Sequence, residues 1–254
     1  MIAEFREYAA WYDLLYKDKD YLNESFYIRN LLNRYASGAV NRLMEIGCGT
    51  GNHAQHLASI GYQVTGTDLS GEMIGIAKEK WKENPRLRFI QGHSNDLNLG
   101  EVFDGIISLF HVMSYVKSHN DLSASFETAF RHLRAGGVFI FDFWYGPAVL
   151  HDLPVSRERT VQGDGLSITR KATPTLFTNQ DLVNVHYDLE IRKHGEETRH
   201  VSEDHKVRYL FLPELEYLLA REGFSVEVAL QWMDLEKEPD RDHWYACMVA
   251  RKPT

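Results

Sequence analysis

Three alternating glycines behind an acidic residue form the stretch of this sequence best suited to chemistry. The segment Leu43–Gly51 reads L-M-E-I-G-C-G-T-G, in which an apolar run that predicts a buried strand meets Gly47, Gly49 and Gly51. Glycine tolerates positive φ and carries no side chain, so the backbone of this turn can lie close to a ligand. Glu45 stands two places before the first glycine, where it would repel a pyrophosphate and attract an ammonium group. The turn therefore predicts a site for a nucleotide-like ligand with a cationic end, at the point where a strand meets a helix N-terminus.

A second carboxylate follows the next predicted strand. Asp68 closes the strand Tyr62–Thr67, and a carboxylate there can accept hydrogen bonds from both hydroxyls of a ribose. The spacing G-x-G-x-G differs from the G-x-G-x-x-G of dinucleotide-binding dehydrogenases, whose last glycine packs helix against strand. A nicotinamide dehydrogenase is therefore the disfavoured alternative.

The acidic prefix, the glycine turn and the second-strand aspartate together resemble motif I and its partner strand in the class I S-adenosylmethionine (AdoMet) methyltransferases. The resemblance implies AdoMet as cofactor. In that family the residue after the ribose aspartate and a Met further on pack against adenine, which places Leu69 and Met73 there. The chain departs from the family at the third strand, where Gly92-His93 replaces a Gly-Asp pair, so that Asp96 or His93 would contact adenine. The cofactor contacts expected from the resemblance come from Tyr12, Glu45, Gly47, Gly49, Gly51, Asp68, Leu69, Met73, His93, Ser94, Asp96 and Phe110.

Aromatic residues recur at helical spacing near the N-terminus. Tyr8, Tyr12 and Tyr16 predict an amphipathic helix, which would either pack on the domain or act as a lid over the cofactor. The Y-D-x-x-Y pattern and the following Lys19-Asp20-Tyr21 resemble the amino-sugar N-methyltransferases that act on nucleotide-linked deoxysugars. That resemblance implies that Tyr12 and Tyr16 approach the methionine moiety and the substrate amine.

Two further polar residues follow the fourth predicted strand, Val102–Leu109. Ligands bind beyond the carboxyl ends of the strands in an open α/β sheet, so His111 and Tyr115 are expected near the transferable methyl group. A histidine or tyrosine there can orient an amine or accept its proton. The predicted catalytic residues are Tyr16, His111 and Tyr115. Asp142, at the end of the fifth strand, is either a substrate hydrogen-bond acceptor or a buried, satisfied carboxylate.

These residues require alternating strands and helices to position them. The pattern predicts an α/β fold, a Rossmann-like doubly wound seven-stranded sheet, mostly parallel, with an antiparallel C-terminal hairpin. Ser70 is the predicted N-cap of the helix after Asp68, and Asn120 or Asp121 that of the helix ending near Arg134. Residues 1–145 and 208–254 are predicted to form the AdoMet-binding core. Residues 146–207, where β-branched alternation replaces helical spacing, predict an inserted antiparallel β cap of three or more strands.

The composition of the chain indicates its cellular compartment and the partners it is expected to have. The chain has 254 residues, a net charge of −8 and two cysteines, Cys48 and Cys247. This composition favours a cytoplasmic protein and argues against nucleic-acid partners and a disulfide framework. Met1–Ala10 does not read as a signal peptide, and no apolar stretch predicts a membrane span. His53 and His56 lack a third metal ligand at suitable spacing, so no metal is expected and solvent-facing or capping roles are predicted for both.

The favoured function is methyl transfer from AdoMet to a small molecule, with the amino group of a nucleotide-linked sugar as acceptor. Another small amine, such as glycine, and a glycan hydroxyl are alternative acceptors. A non-catalytic AdoMet-binding protein is the alternative from another class. A homodimer is a candidate assembly, although the sequence does not define the oligomeric state.

Overall fold

The computed structural model describes residues 8–163 and 165–254. Its contacts divide the chain into two units. The core unit comprises Asp20–Asp152 and Tyr209–Thr254, and the β unit comprises Leu153–Arg208 with the described residues up to Lys19. The signal-peptide prediction for Met1–Ala10 falls mostly on residues 1–7, which lie outside the described residues.

Seven α-helices lie in the described residues, and one of them, Gly146–His151, falls in the stretch 146–207 for which only strands were predicted. A short 3-10 helix, Tyr8–Trp11, leads into the first of them. The α-helices are α1 Tyr12–Leu15, α2 Tyr21–Tyr35, α3 Asn52–Ser59, α4 Gly71–Lys80, α5 His119–His132, α6 Gly146–His151 and α7 Leu212–Arg221. None of the described helices has the length and apolar content needed to cross a bilayer.

The strands alternate with helices in the first half of the chain and follow one another in the second. They are β1 Arg42–Ile46, β2 Gln63–Asp68, β3 Leu87–Gln91, β4 Phe103–Ser108, β5 Leu133–Tyr145, β6 Arg157–Gly163, β7 Leu166–Phe177, β8 Leu182–Lys193, β9 Arg199–Leu210, β10 Ser225–Gln231 and β11 Tyr245–Arg251.

The core unit is built on a parallel sheet of order β3-β2-β1-β4-β5. β1 pairs in parallel with β2 and β4, and β5 continues the sheet in parallel with β4. β11 pairs antiparallel with β5, and β10 with β11, which confirms the predicted C-terminal hairpin. Because parallel strands end at the same edge, the turns after β1, β2, β3 and β4 all meet at one side of this sheet.

The predicted count of seven strands is wrong. In the described residues nine strands follow one hydrogen-bonded path, and β10 and β11 branch from β5 to give an eleven-stranded sheet. The reason is that β9 does not stop near Val207 as the sequence pattern suggested. Its last residues, Tyr209 and Leu210, pair in parallel with Trp144 and Tyr145 of β5.

Strand β5 is buried on both faces, as expected of a central strand. Phe139, Phe141 and Phe143 pack into a cluster with α5 and α7. Val138 and Ile140 pack into a second cluster with α2 and α3. Two apolar layers thus enclose the sheet and hold its carboxyl edge in a fixed position.

The β unit contains the antiparallel strands β6, β7, β8 and β9, paired in that order. One face carries an apolar cluster that includes Ile168, Leu189 and Val201, and Leu15 of α1 packs against it. The sequence predicted the antiparallel pattern of β7, β8 and β9.

Serine side chains cap the N-termini of α4 and α5. Ser70 is the N-cap of α4, since its side chain accepts a hydrogen bond from the N–H of Met73, as predicted. The cap of α5 is Ser118, whose side chain accepts from the N–H of Asp121, so the prediction of Asn120 or Asp121 is wrong. The helix begins one residue earlier than its pattern suggested, and the serine fills the position that satisfies the first free donors.

Candidate active site

The glycine turn after β1 presents bare backbone at one position. Gly47, Gly49 and Gly51 have φ of 74°, 53° and 81°, in the left-handed region that favours glycine. A Cβ at Gly47 would lie 2.5 Å from Val112, and one at Gly51 would lie 2.7 Å from Phe89, so both are closed in by protein. A Cβ at Gly49 would meet nothing within 4 Å among the described residues. The middle glycine is therefore the point at which a ligand can approach the backbone.

Asp68 lies beside this bare position at the end of β2. Its Oδ2 accepts a hydrogen bond of 2.9 Å from the N–H of Gly49, and its Oδ1 accepts one of 2.8 Å from the N–H of Ser70. Burial raises the pKa of Asp68, and these backbone hydrogen bonds act against the rise. Each oxygen of an ionised carboxylate can accept more than one hydrogen bond, so the arrangement leaves acceptor capacity for a pair of hydroxyl groups. The neighbouring Leu69 is 39% exposed and can cover a flat ring.

Glu45 is the most deeply buried acidic group of the turn, with 1% exposure. Burial, and then the charge of Asp68, raise the pKa of Glu45 to about 8, while a hydrogen bond from the N–H of Ala54 opposes the shift. Its Oε2 has no hydrogen-bond partner in the described residues. A buried acceptor without a partner is costly, and a cationic ligand would satisfy it.

These three features fit AdoMet. The carboxylate of Glu45 suits a cationic end, the backbone at Gly49 suits close approach, and Asp68 suits a ribose. The fit rests on two observations in the described residues: Oε2 of Glu45 has no hydrogen-bond partner, and the space beside Gly49 is open.

The predicted roles of the two histidines on α3 do not hold for His53. It is 5% exposed and its Nε2 lies 2.6 Å from Oε2 of Glu24 on α2. The expectation of a solvent-facing or capping role is therefore wrong for this residue. The sequence could not show that α2 packs a glutamate against this face of α3.

The turn after β4 contains strained backbone. Phe110 and His111 have φ of 66° and 63°, which is uncommon for residues other than glycine. The N–H of His111 donates to Oδ1 of Asp142 at 3.0 Å, and the carbonyl of His111 accepts from the N–H of Ser114 at 2.9 Å. Each strained residue costs about 1–3 kcal/mol, and such strain concentrates at functional sites.

The strained turn aims the imidazole of His111 at the carboxylate of Asp142. Nδ1 lies 2.7 Å from Oδ2, an ion-pair distance, although the pair lacks hydrogen-bond alignment and neither atom has another such partner in the described part of the chain. Asp142 is 1% exposed, and the ring of Tyr245 stacks on the imidazole with centroids 4.4 Å apart. A buried carboxylate behind a partly exposed histidine can stabilise the protonated imidazole, so the pair can accept a proton. His111 and Asp142 are called the accessible pair below.

The residues expected to surround adenine lie partly in the protein core and partly in the loop after β3. Met73 is 2% exposed and lies in the protein core at the start of α4. Nδ1 of His93 accepts from the N–H of Asn95 at 3.0 Å, and Oγ of Ser94 accepts from Ser125 at 3.0 Å. Asp96 is exposed and follows in the same loop. His93 thus supports the turn of its own loop and Ser94 joins the loop to α5, and the predicted adenine contacts stay predictions.

The three residues predicted to be catalytic fall in two units. His111 and Tyr115 lie in the core unit, in and after the turn that follows β4, with Tyr115 ending a short 3-10 helix, Val112–Tyr115. Tyr16 lies in the β unit, where its hydroxyl accepts from Arg170 at 3.0 Å and its ring lies 4.8 Å from that of Tyr12. The structure brings His111 and Tyr115 into one segment.

Sequence reasoning missed the pairing of Asp142 with His111 and the stacking of Tyr245. A signal for the first existed. Asp142 interrupts the apolar run Val138–Phe143, and a carboxylate in a buried strand needs a partner. Tyr245 had no such signal, because its contact depends on the antiparallel pairing of β11 with β5.

The fold is that of the class I AdoMet-dependent methyltransferases, and the chain contains a methyltransferase domain. Residues 43–137 match the family described as "Methyltransferase domain". A solved AdoMet-dependent methyltransferase from Clostridium acetobutylicum ATCC 824 superposes with a TM-score of 0.82 at 22% identity, covering 98% of this chain and 99% of that chain. The predictions of a methyltransferase, of its Rossmann-like fold and of AdoMet as cofactor are thus confirmed.

Among curated proteins the chain is similar to sugar N-methyltransferases. It is 29% identical to the dTDP-3-amino-3,4,6-trideoxy-alpha-D-glucopyranose N,N-dimethyltransferase of Streptomyces venezuelae, over 87% of this chain and 91% of that protein. It is 28% identical to the dTDP-3-amino-3,6-dideoxy-alpha-D-glucopyranose N,N-dimethyltransferase of Streptomyces fradiae, over 87% of this chain and 85% of that protein. The predicted resemblance to amino-sugar N-methyltransferases is confirmed.

Proposed function

We propose that this methyltransferase acts on the amino group of a nucleotide-linked sugar, with the accessible pair taking the proton that the amine must lose. The observation that carries the proposal is the contact of 2.7 Å between Nδ1 of His111 and Oδ2 of Asp142 at the carboxyl edge of the sheet. The two relatives named for dTDP-linked amino sugars support the choice of acceptor.

Methyl transfer to nitrogen requires a neutral amine. AdoMet, when bound, supplies a methyl group already activated on a sulfonium. The protein must orient the acceptor, exclude water and remove a proton from the ammonium form of the substrate. A hydroxyl acceptor would need a stronger base, so an imidazole paired with a carboxylate suits an amine better.

The accessible pair can perform this proton transfer. A substrate N–H bond breaks as its proton moves to the imidazole of His111, and the electron pair stays on nitrogen for attack on the methyl carbon. Asp142, with 1% exposure, stabilises the resulting imidazolium. The hydrogen bond of 3.0 Å from the N–H of His111 to Oδ1 of Asp142 holds the strained turn while this occurs. In the proposal Tyr115 orients the amine from the same segment.

The remaining cofactor contacts stay proposals. Glu45 would bind the ammonium group of AdoMet, Asp68 its ribose, and Gly49 would allow close approach of the backbone. Leu69, Met73, Phe110 and the loop 93–96 would surround adenine. Tyr12 and Tyr16 keep their predicted roles toward the methionine moiety and the substrate amine, and phenylalanine substitutions would test both.

An acceptor panel tests the substrate class. Purified protein is incubated with AdoMet and a dTDP-linked 3-amino deoxysugar, and mass spectrometry counts the added methyl groups. The matched control is the dTDP-linked sugar with a hydroxyl in place of the amine, and a second control is the free amino sugar without the nucleotide. We expect one or two methyl groups on the first compound only. Methylation of glycine or of the hydroxyl control instead would contradict the proposed acceptor, and AdoMet binding without any methylation would favour a non-catalytic protein.

Setting and assembly are also proposed. Cys48 and Cys247 are free and buried, which suits the reducing cytoplasm. A homodimer is the proposed assembly, and light scattering on the purified chain would test it.

A further inference from the structure

Three ionisable side chains form a buried chain of contacts behind the glycine turn. Glu24 of α2, His53 of α3 and Glu45 of β1 are 8%, 5% and 1% exposed. Nε2 of His53 lies 2.6 Å from Oε2 of Glu24, and Nδ1 lies 3.7 Å from Oε1 of Glu45. The imidazole thus stands between two carboxylates, one of which belongs to the candidate cofactor site. Glu24, His53 and Glu45 are called the buried relay.

Other titratable groups face the buried relay from every side. From α2, the ring of Tyr21 packs edge-on against His53 with centroids 4.8 Å apart. From α3, the ring of His56 stacks on that of Tyr21 with centroids 6.5 Å apart. From β2 and from the glycine turn, Asp68 and Cys48 interact with the charge of Glu45.

Full ionisation of the buried relay is energetically unfavourable. Two ionised carboxylates in one buried cluster repel each other, and Asp68 adds a third negative group near Glu45. A proton on Glu45, whose pKa is raised to about 8 by burial and by the charge of Asp68, relieves this repulsion.

We propose that His53 is a positioning residue which couples Glu24 to Glu45, and that a cationic ligand arriving beside Glu45 expels one proton from the buried relay. The proposal rests on AdoMet binding at Glu45, as in the proposed function. The positive ligand replaces the proton as the partner of Oε2 of Glu45, which has no other partner in the described residues. The expelled proton passes to solvent, so cofactor affinity becomes dependent on pH.

The direction of this dependence follows from the raised pKa of Glu45, about 8. Below that pH the relay holds its proton and the ligand must displace it, so binding weakens as the pH falls. One displaced proton corresponds to about a tenfold rise in Kd per pH unit. The α-amino group of the ligand has an ordinary pKa of about 7.7–8.0, so the profile is read between about pH 5.5 and 6.5, where this group stays charged.

Calorimetric titration with AdoMet tests the proposal on the intact protein. At pH 7 the titration is repeated in buffers of different ionisation enthalpy, and the slope of the observed heat against that enthalpy counts the protons released. We expect close to one proton per AdoMet for the wild-type protein, and close to none for Glu45→Gln. A slope of zero for the wild type, with Kd independent of pH, would overturn the relay while leaving the cofactor assignment intact. Failure of AdoMet to bind at any pH would overturn both.

A double-mutant cycle isolates the role of His53. Glu24→Gln removes one negative charge from the relay, so the proton is held less firmly and the pH profile of Kd shifts to lower pH. In the His53→Asn background the connection is absent, and Glu24→Gln should then leave the profile unchanged. An equal shift in both backgrounds would show that Glu24 acts without His53 and would overturn the coupling.

His56→Asn is the matched control. It removes an imidazole from the same helix, one whose pKa burial lowers from its ordinary value. The slope and the proton count should not change in this variant, and a loss of either would assign the linked proton to His56 instead. Thermal unfolding of each variant checks folding. If Glu24→Gln does not fold, the proton count of the wild-type protein still decides the proposal.

Discussion

Two histidines of the core unit are each held by a buried carboxylate, yet their surroundings differ. The side chain of His53 is 6% exposed and lies in a regular helix, between two carboxylates. The side chain of His111 is 14% exposed, lies on strained backbone and faces a single carboxylate. An imidazole enclosed on both sides can only adjust the charge of its neighbours. An imidazole with an open side can exchange a proton with a substrate.

The difference also explains why strain is confined to one of the two places. A helix positions His53 without distortion, because α2 brings Glu24 to it through packing of apolar residues such as Leu31. At the end of β4 the chain instead turns through positive φ at Phe110 and His111, and the N–H of His111 donates to Asp142 of β5. The backbone strain is the cost of directing the accessible pair toward the carboxyl edge of the sheet.

Asp142→Asn should lower kcat more than any other substitution considered, because it disrupts the accessible pair and leaves His53 untouched. Asp142→Asn keeps an oxygen for the N–H of His111 but removes the negative charge beside its ring. We expect kcat to fall about 10²–10⁴-fold, the usual contribution of a positioned base, while Kd for AdoMet changes less than about threefold. Steady-state kinetics with calorimetry on the same sample measures both. Asp242→Asn, whose side chain is 69% exposed, is the control and should behave as the wild type. A normal kcat for Asp142→Asn would contradict the proton transfer proposed for the accessible pair.

The second effect is on affinity. Glu45→Gln replaces the anionic acceptor with a neutral one, and a hydrogen bond to a charged group contributes about 1.5–3 kcal/mol. We therefore expect Kd for AdoMet to rise about tenfold to 100-fold at pH 7.5, with kcat at saturation little changed. Unchanged affinity would mean that the buried relay does not face the cofactor.

Glu45→Gln should also change how the stability of the ligand-free protein depends on pH. The pKa of Glu45 in the folded protein, about 8, lies above its ordinary value of 4.5, so its contribution to stability is present below pH 4.5 and is lost as the pH rises through 8. Without ligand, Glu45→Gln should thus be the more stable protein at pH 8.5, by on the order of 2 kcal/mol, and lose this advantage at pH 5. Chemical denaturation at the two pH values measures the difference. An advantage independent of pH would indicate a packing effect.

A smaller effect is expected at the stacked ring. Tyr245→Ala removes the aromatic face that holds the imidazole of His111, and such contacts contribute about 0.5–1.5 kcal/mol. We expect kcat to fall about threefold to tenfold, with partial recovery in Tyr245→Phe. Tyr217→Ala on α7, where the side chain is exposed, serves as control. Equal rates for Tyr245→Ala and wild type would show that the stack does not orient the ring.

The smallest effect on rate belongs to His53. His53→Asn leaves the accessible pair intact, so at saturating AdoMet and pH 7.5 its kcat should lie within about twofold of wild type, although its pH profile of Kd differs. A loss of kcat in His53→Asn as large as that in Asp142→Asn would show that the assignment of the proton transfer to His111 is wrong.

The sequence predicted the parts of the site that depend on local chemistry. One helix and one strand separate Asp68 from the glycine turn and its acidic prefix. Glycine permits the positive φ of the turn, and a carboxylate accepts hydrogen bonds, so the residue types themselves indicated the site. The Ser70 cap is local in the same way. The contacts that the sequence did not predict join distant segments, such as Glu24 with His53, or Asp142 with His111. These depend on which helix packs on which face and on the register of β11 against β5, and no pattern within one segment records either. The fold class was predicted, but the strand count was not, since the exit of β9 into the core is a long-range pairing.

The most direct test of the account measures one turnover. Methyl-labelled AdoMet is bound to saturation, a dTDP-linked 3-amino sugar is added, and label on the amine is followed from pH 6 to 9 for the wild type and for His111→Gln. We predict that the variant is about 100-fold slower at pH 7, and that the gap narrows as the pH rises, because solvent then removes the proton that His111 otherwise accepts. Equal rates at every pH, or label that never reaches the amine, would contradict the account.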